Sequence, residues 1–303
     1  MLDTIRKITP LGLRKKVGPL LGYSVYVWRT RLRGRTWEPH VVSPLETIEK
    51  ISDGNMSAIR FGDGEISLIE GNDLGFQEYD PSLAQKLEEI LRERTEKLLI
   101  CIPGIFGSLA QFPSRGFWFE IHHLFRHGHV WKKLTRRDYT YGDAFFVRPY
   151  LTRKDTRQTE DHFKKLKMLW HAKDVLLIEG EKSRLGVGND LFEDTASIKR
   201  ILGPAENAYA RADAILTEAL KHPKNTLVLL SLGPTAKVIA HNLFIRGYRV
   251  LDIGHIDMEY EMFLRGNTTI TPVPYKYFNE IDERDPASCT DEAYLSQIVA
   301  KIL

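Results

Sequence analysis

The sequence predicts an α/β fold with a Rossmann-like, mostly parallel sheet and helices on both faces. Apolar runs such as "KLLICIPG" and "NTLVLLSLG" are continuous and do not alternate with polar residues. Such runs are typical of strands that are covered on both faces. Amphipathic segments with helix-capping residues alternate with these runs, which requires crossover connections and parallel strands. We expect a single domain over residues 41–303, preceded by a basic extension at 1–40.

The individual elements follow in order along the chain. In "SPLETIEKIS", Ser43 as N-cap, Pro44 at the first position and Glu46 as capping-box partner predict a helix. The run "MSAIRF" predicts a strand, "DPSLAQKLEEILRERTE" a helix and "KLLICIPG" a strand. Residues 116–135 and 156–171 are predicted to be helical, and "DAFFVRPY" is predicted to be a strand between them. The remainder predicts strand "KDVLLIEG", helix "NAYARADAILTEALKH", and then strand, turn, helix and strand in "NTLVLLSLGPTAKVIAHNLFIRGYRVLDIG".

Composition limits the class of protein. The 303 residues are 43% hydrophobic and 27% charged, which is ordinary for a soluble globular protein. The two cysteines, Cys101 and Cys289, are far apart, which disfavours a disulfide framework or a cysteine zinc site and favours a cytoplasmic setting. No uncharged run approaches the length of a membrane span, and we expect no signal peptide. The histidines of "IHHLFRHGHVW" lack metal-ligand spacing and are expected at the surface or lining a cleft.

The basic side chains are concentrated at the N-terminus. Residues 1–35 hold nine basic side chains against one acid, Asp3, whereas the whole chain carries only +3. A basic head on a mildly acidic body does not indicate a nucleic-acid-binding domain. It indicates an arm that meets an anionic surface, such as the inner face of the membrane, or one that packs on the body or on a second subunit. Both interpretations stay open, as does a homo-oligomer.

Polar or glycine-rich clusters follow most of the predicted strands. They are Asp63 with Glu65, Arg148 with Pro149, residues 179–190, Gly233 with Pro234 and Thr235, and His255 with Asp257, Glu259 and Glu261. The carboxyl ends of parallel strands lie along one edge of a sheet, where α/β folds bind ligands. The sequence therefore predicts one cleft that gathers these clusters.

Asp63 and Glu65 stand two residues apart in "RFGDGEIS". In an extended segment both carboxylates would point to the same side. Two such carboxylates can hold Mn²⁺ or Mg²⁺ and leave coordination positions for phosphate oxygens, so that the metal clamps a diphosphate leaving group. The alternative is a pair of acids that cap a turn by binding backbone amides.

The segment "GEKSRLGVGNDLF" combines backbone freedom with positive charge. Gly186 and Gly188 allow the backbone to approach a ligand, and Lys182 and Arg184 supply charge. Leu191 stands at the third glycine position of the dinucleotide fingerprint, and the ending of a P-loop is missing. The alternative is a flexible surface loop. The turn in "SLGPTAK" offers either free amides for an anion or ordinary helix-start chemistry.

Six segments taken together resemble a known family. "RFGDGE", "FFVRPY", "VLLIEGEKSRLGVGNDLF", "LLSLGPTAKVIAHNL", "DIGHIDMEYEMF" and "YKYFNE" resemble, in order over about residues 45–282, the GT-D glycosyltransferases. These are bacterial enzymes with a D-x-E motif, first described as a domain of unknown function. The resemblance implies transfer of a sugar from a nucleoside diphosphate sugar, usually a UDP-sugar, to a glycan or lipid-linked glycan in surface polysaccharide or glycoprotein synthesis. It also implies that Asp63 and Glu65 form the metal and nucleotide site.

Specific roles follow as hypotheses. Either Arg60 or Arg184 is suited to bind the phosphates through its planar fork. Asp257, Glu259 or Glu280 would take the proton from the acceptor hydroxyl if the reaction inverts, and the choice among them stays open. The residues predicted to contact the nucleotide are Arg60, Gly62, Asp63, Glu65, Lys182, Arg184, Gly186, Gly188, Asn189, Asp190, Gly233 and His255. The alternative function is a non-catalytic nucleotide- or sugar-phosphate-binding protein, and an NAD-dependent enzyme is disfavoured by the missing fingerprint.

Overall fold

A computed structural model describes Ser24, residues 37–280 and residues 286–303. Of the predicted basic extension at residues 1–40, only Ser24 and residues 37–40 belong to the described residues. The chain divides into two compact units: residues 1–40 with 105–140, and residues 41–104 with 141–303. The predicted boundary at residue 40 stays a prediction.

A nine-stranded sheet organises the chain, and its strands lie in the order β1-β4-β3-β2-β8-β7-β5-β6-β9. The seven neighbouring pairs from β4 to β9 run parallel, which confirms the predicted parallel sheet. The strands are β1 (His40–Val41), β2 (Ser57–Arg60), β3 (Leu98–Ile102), β4 (Thr140–Asp143), β5 (Asp174–Gly180), β6 (Ser197–Gly203), β7 (Leu227–Ser231), β8 (Arg249–Asp252) and β9 (Ile298–Lys301).

Nine α-helices and two 3-10 helices occur in the described ranges. The α-helices are α1 (Pro44–Asp53), α2 (Asp63–Ile69), α3 (Pro81–Leu91), α4 (Ser114–Leu134), α5 (Thr159–Met168), α6 (Ala212–Ala219), α7 (Thr235–Phe244), α8 (Ile256–Leu264) and α9 (Glu292–Gln297). The 3-10 helices are Ala144–Val147 and Ala208–Arg211. The α/β class predicted from the alternating segments is confirmed.

Helices cover the larger unit's sheet in two layers. Side chains alternate between the faces of a strand. Leu227, Leu229 and Leu251 belong to a core cluster shared with α1, α5 and α8. Val228 and Val250, of the opposite parity, are also fully buried, and helix α7 packs on β2, β7 and β8 and against α3 and α6. Burial on both faces explains why the strands are continuous apolar runs.

One local prediction is confirmed at the start of α1, and another is wrong in the segment after β4. Ser43 and Glu46 form the predicted capping box at the start of α1. By contrast, "DAFFVRPY" is not a strand, because β4 ends at Asp143 and a 3-10 helix follows. The Asp143 carboxylate accepts hydrogen bonds from the amides of Phe145 at 2.8 Å and Gly104 at 3.2 Å, which turns the chain out of the sheet.

The smaller unit is built on α4, which confirms the helix predicted for residues 116–135. Phe106 packs edge-on against Trp37, with ring centroids 5.6 Å apart, and against Trp131, at 5.7 Å. The Trp131 indole donates to Nε2 of His123 at 2.8 Å. Burial lowers the pKa of His123 to about 3, so this histidine is neutral and serves the core.

Candidate active site

The carboxyl ends of β2 and β8 meet through Arg60 and Asp252. Arg60 Nε donates to the Asp252 carbonyl oxygen at 2.9 Å, and Nη2 lies 3.3 Å from Asp252 Oδ1. Gly254 leaves the room that this guanidinium fills, because a Cβ there would lie 1.7 Å from Arg60 Nη2. Its φ of +43° also favours glycine. The predicted phosphate ligand Arg60 is thus fixed by a carboxylate and a tight turn.

The D-x-E residues start helix α2 directly after this strand. The expectation of an extended segment was wrong, because Gly62 is the N-cap and both acids lie in the first helical turn. Residues two apart on a helix diverge by about 200°. Glu65 therefore turns inward, and its Oε2 accepts from the Gly62 amide at 2.8 Å, whereas Asp63 remains exposed. The capping role considered from the sequence belongs to Glu65.

Lys237 of α7 links these carboxylates. Its Nζ lies 2.9 Å from Glu65 Oε1 and 3.2 Å from Asp252 Oδ2, and it donates to the Gly233 carbonyl oxygen at 3.2 Å. Burial lowers the pKa of Lys237, but the Asp252 and Glu65 carboxylates outweigh it and raise the pKa. Lys237 is a functional residue that the sequence pattern "SLGPTAK" did not single out. A lysine directly before the apolar "VIA" was the available signal.

Asp63 is the open carboxylate of this cluster. None of the ion pairs between described residues involves it. Solvent reaches the side chain, yet desolvation by the many protein atoms around it raises its pKa, and the Glu65 carboxylate raises it further. The Glu280 carboxylate adds a smaller effect in the same direction. A cation at Asp63 would relieve this accumulation of negative charge.

Glu280 joins the cluster through Arg148 and His255. Its Oε1 lies 3.0 Å from Arg148 Nη1 and 3.4 Å from His255 Nδ1, and 32% of its side chain is exposed. Burial lowers the pKa of Arg148, but Glu280 and Glu259 outweigh it and raise the pKa. Burial lowers the pKa of His255, against the opposing effect of Glu280. His255 is therefore neutral at pH 7.

Glu259 holds Arg148 from the protein interior. Its fully buried carboxylate lies 3.0 Å from Arg148 Nε and accepts from the amides of Tyr150 at 3.1 Å and Leu151 at 2.8 Å. These three partners satisfy the charge of Glu259 and fix the turn after the 3-10 helix. Of the three proposed bases, Glu259 is therefore bound to the scaffold on the side away from solvent.

Asp257 and Glu261 form a second cluster with the glycine-rich loop. Asp257 Oδ1 accepts from the Gly186 amide at 2.8 Å and from Asn189 Nδ2 at 2.9 Å, and the same Asn189 nitrogen donates to Glu261 at 2.8 Å. Lys276 Nζ lies 2.8 Å from both carboxylates. The loop is thus fastened to α8 and to the segment that leads to Glu280.

The rest of the loop is held from several sides. Arg184 Nη1 donates to the carbonyl oxygens of Tyr275 at 2.5 Å and Ala287 at 2.7 Å. The Lys182 carbonyl oxygen accepts from the Tyr277 amide at 2.9 Å, and Asp190 lies 2.7 Å from Lys167. Left-handed φ angles occur at Arg184 (+50°), Gly186 (+78°), Gly188 (+77°) and, in the neighbouring turn, Gly233 (+52°). These contacts tie the loop to neighbouring segments, which favours a binding loop over the flexible surface loop considered as an alternative.

The predicted residues therefore separate into two groups. One lies around the ends of β2 and β8 and contains Arg60, Gly62, Asp63, Glu65, Gly233, His255 and Glu280. The other contains Lys182, Arg184, Gly186, Asn189 and Asp190 with Asp257. Residues 276–280 connect the groups, because Lys276 belongs to the second and Glu280 to the first.

The carboxyl edge of this α/β sheet carries the D-x-E pair in one cluster and the glycine-rich loop in a second, as expected for a ligand site of an α/β fold. A family model described as "Glycosyltransferase GT-D fold" matches residues 58–281, so the chain belongs to the GT-D glycosyltransferases. Two solved structures agree: "A New Glycosyltransferase (DUF1792) from Streptococcus sanguinis" (38% identity, TM-score 0.83, covering 88% of this chain and all of that one) and "The highly conserved domain of unknown function 1792 has a distinct glycosyltransferase fold" (35%, 0.85, 94% and all).

Two curated proteins are also similar. "Probable glycosyl transferase Gly" of Streptococcus gordonii is 41% identical over 266 residues, 86% of this chain and 39% of that protein. "Glycosyltransferase GlyD" of Streptococcus pneumoniae serotype 4 (strain ATCC BAA-334 / TIGR4) is 40% identical over 260 residues, 85% of this chain and 32% of that protein. The chain therefore spans well under half the length of these relatives. The predicted family is confirmed.

Proposed function

We propose that the protein transfers a sugar from a nucleoside diphosphate sugar to an acceptor glycan with the help of a divalent metal. The resemblance of the chain to its family favours a UDP-sugar as the donor. The observation that carries this proposal is the exposed Asp63 carboxylate beside Glu65 at the end of β2. The proposed acceptor is a glycan or lipid-linked glycan of a bacterial surface polysaccharide or glycoprotein.

The charge of the site supports the need for a metal. In the cluster of described residues around the ends of β2 and β8, five carboxylates face three basic side chains, and His255 is neutral. The excess of two negative charges would repel a diphosphate, and a divalent cation cancels that excess. The residues counted are Asp63, Glu65, Asp252, Glu259 and Glu280 against Arg60, Arg148 and Lys237.

The exposed Asp63 carboxylate offers an oxygen ligand to a hard cation that also takes oxygens from the donor, and the inward-turned Glu65 is its acidic neighbour. Within the described ranges, no group of three or more histidine, cysteine, aspartate or glutamate side chains could hold a metal ion. Asp63 is free of ion pairs with described residues, and each Glu65 oxygen keeps a lone pair beside its contacts to Lys237 and Gly62. We propose that Asp63 and Glu65 hold Mn²⁺ or Mg²⁺, which when bound neutralises the departing diphosphate.

For an inverting transfer, Glu280 is the favoured base. A base must reach the acceptor hydroxyl. Glu280 is 32% exposed, whereas the carboxylates of Asp257 and Glu259 are almost fully buried and bonded to structural partners. Its Oε1 lies 3.0 Å from Arg148 Nη1, which orients the carboxylate at the site. Asp257 and Glu259 are then positioning residues for the loop and for Arg148.

We propose that the donor contacts the loop of residues 182–190 on the other side of the site. The contacts of Gly186, Asn189 and Arg184 fix the shape of that loop before a ligand arrives. Such preorganisation lowers the entropy cost of binding. The two widely spaced cysteines support a cytoplasmic location. In the described part of the chain, no helix is long and apolar enough to cross a membrane.

The deciding experiment incubates the full chain with a panel of nucleotide sugars and Mn²⁺, and measures release of the free nucleoside diphosphate. We expect turnover with one donor, loss of turnover with a chelator, and recovery when metal is restored. Tight nucleotide binding without turnover of any sugar would instead favour the non-catalytic binding protein. Turnover that is indifferent to chelator would contradict the metal dependence alone.

A further inference from the structure

The outward face of α4 has an unusual composition. Apart from Ser114, its exposed residues are aromatic, basic or histidine. At about 100° per residue they fall within an arc of about 140°, while the buried residues occupy the opposite side. We call this set the aromatic-basic face; it comprises Arg115, Trp118, Phe119, His122, Phe125, Arg126, His129, Lys132 and Lys133.

Large rings on this face remain in contact with water. Trp118 is 37% exposed, Phe119 52% and Phe125 46%. Exposed aromatic residues that share one helix face form an apolar patch, and such patches mark interaction sites. Among the described residues of the smaller unit, the buried side of α4 is the opposite one, around residues such as Trp131.

Negative charge is missing from the same face. The only acid in α4 is Glu120, and it is buried on the opposite side of the helix. Arg115, Arg126 and Lys132 are exposed among the rings. A surface that is at once aromatic and purely basic complements a partner that offers both an apolar layer and negative charge.

An anionic lipid surface offers both. Interfacial helices lie in the plane of the membrane with aromatic side chains in the acyl boundary and basic side chains at the headgroups. The sequence of residues 1–35 adds nine basic side chains against one acid, which would reinforce attraction to anionic headgroups. A protein partner would need an acidic groove lined by apolar residues. The described residues of this chain show no such groove that a second copy could offer.

We propose that the aromatic-basic face of α4 docks on anionic lipid, with Trp118, Phe119 and Phe125 inserted at the headgroup boundary and the basic residues at the phosphates. Docking would concentrate the protein at the surface that holds lipid-linked glycans. The proposal does not depend on the transfer chemistry, because vesicle binding requires neither donor nor metal.

The test is co-sedimentation of the full chain with vesicles of phosphatidylcholine alone and of phosphatidylcholine mixed with phosphatidylglycerol, at low and high salt. We expect binding to the anionic vesicles that weakens with salt. The variant Trp118→Ser/Phe119→Ser/Phe125→Ser should bind at least about tenfold more weakly, because it loses the apolar area that enters the boundary. The variant Arg115→Gln/Arg126→Gln/Lys132→Gln should lose most of the preference for anionic lipid.

Two control variants make the same chemical changes on the larger unit. Met168→Ser/Leu220→Ser/Ile245→Ser removes three other exposed apolar side chains, and Lys154→Gln/Lys199→Gln/Lys224→Gln removes three other exposed charges. Both should bind vesicles like the parent chain. Circular dichroism melting should show that all four variants are folded, and donor hydrolysis should be unchanged in the two α4 variants.

Several outcomes would overturn the proposal. One is unchanged vesicle binding by the aromatic variant, which would assign any membrane contact to residues outside α4. Another is equal binding to neutral and anionic vesicles. A third is a parent chain that ignores vesicles but forms a dimer, seen by sedimentation velocity, that the aromatic variant dissociates. That third result would identify the face as a contact between copies of the chain.

Discussion

Two buried lysines hold two carboxylates each, and the pair of clusters invites comparison. In the edge triad, Lys237 lies 2.9 Å from Glu65 and 3.2 Å from Asp252. In the loop triad, Lys276 lies 2.8 Å from both Asp257 and Glu261. The chemistry and the distances are nearly equal, yet the surroundings of the two triads differ.

The difference lies in what surrounds the carboxylates. The loop triad is closed, because Gly186 and Asn189 donate further hydrogen bonds to it and leave no acid exposed. The edge triad instead adjoins Asp63, which is exposed and has a pKa raised by desolvation and by Glu65. The same ionic motif therefore has two settings: the loop triad fixes a backbone, whereas the edge triad lies next to an exposed carboxylate, which is the one we propose to bind a cation.

The largest effect should come from the open carboxylate. Asp63→Asn keeps the shape and removes the charge, so it should reduce donor turnover by at least about 100-fold, the scale expected when a group that stabilises developing charge is lost. Glu65→Gln should follow, with an added loss of order at the start of α2. Asp53→Asn, a change at an exposed aspartate that ends α1, serves as the control. Near-normal turnover in Asp63→Asn would reduce the D-x-E to a helix cap.

The two lysines should have equal effects on stability and different effects on kinetics. Lys237→Met and Lys276→Met each leave two carboxylates without their shared partner, which costs about 3–5 kcal/mol in the free energy of unfolding. We expect Lys237→Met to lower kcat, because Glu65 loses its orientation, and Lys276→Met to raise the donor KM, because the loop loosens. Urea unfolding and donor kinetics measure the two effects. Identical kinetic changes would contradict the division of roles.

Gly254 tests how tightly the edge triad is packed. Gly254→Ala places a Cβ 1.7 Å from Arg60 Nη2 at a φ of +43°, so Arg60 must leave Asp252. We expect a loss of about 1–3 kcal/mol in unfolding free energy, together with a clear drop in turnover. Gly266→Ala is the matched control, since Gly266 has a φ of +64° but open space around it. Its effect should be limited to about 1 kcal/mol of backbone strain without kinetic change.

Arg184 tests the loop on the donor side. If its guanidinium contacts phosphate as proposed, Arg184→Ala should raise the donor KM about tenfold or more, the worth of a charge-assisted contact. The structure shows Arg184 bonded to the carbonyl oxygens of Tyr275 and Ala287, which gives it a structural role as well. Arg157→Ala, an exposed arginine that bonds to Asp155, is the control. A fall in melting temperature with unchanged donor KM would leave only the structural role.

The predictable part of this molecule is local, and the unpredicted part is long-range. The capping box of Ser43 and Glu46 and the apolar strands follow from neighbours in sequence. The helix at Asp63 was also within reach, because Glu65 stands three residues after Gly62, the spacing of a capping interaction. The lysine–carboxylate triads could not be predicted from the sequence, because Lys237 meets Glu65 only after α7 packs on β2 and β8. Arg148 likewise finds Glu259 across more than 100 residues.

The smallest expected effect concerns stability against pH, where Asp63 beside the edge triad and Glu261 of the loop triad should differ in sign. The pKa of Asp63 is raised in the folded state, so its contribution to stability is present below the unfolded value, about 3.9, and is lost as pH rises through the folded value. Asp63→Asn should therefore be more stable than the parent at pH 7, and the advantage should shrink toward about pH 4.

Glu261 of the loop triad should show the opposite sign. Burial raises the pKa of Glu261, but Lys276 outweighs it and lowers the pKa. Glu261→Gln should therefore be less stable at pH 7, and that deficit should shrink as pH falls through the folded pKa. Urea unfolding of the parent and both variants, from pH 7 down to below the unfolded pKa values, measures each difference in unfolding free energy. If Asp63→Asn were less stable than the parent at pH 7, the negative charge of Asp63 would already be compensated in the folded protein.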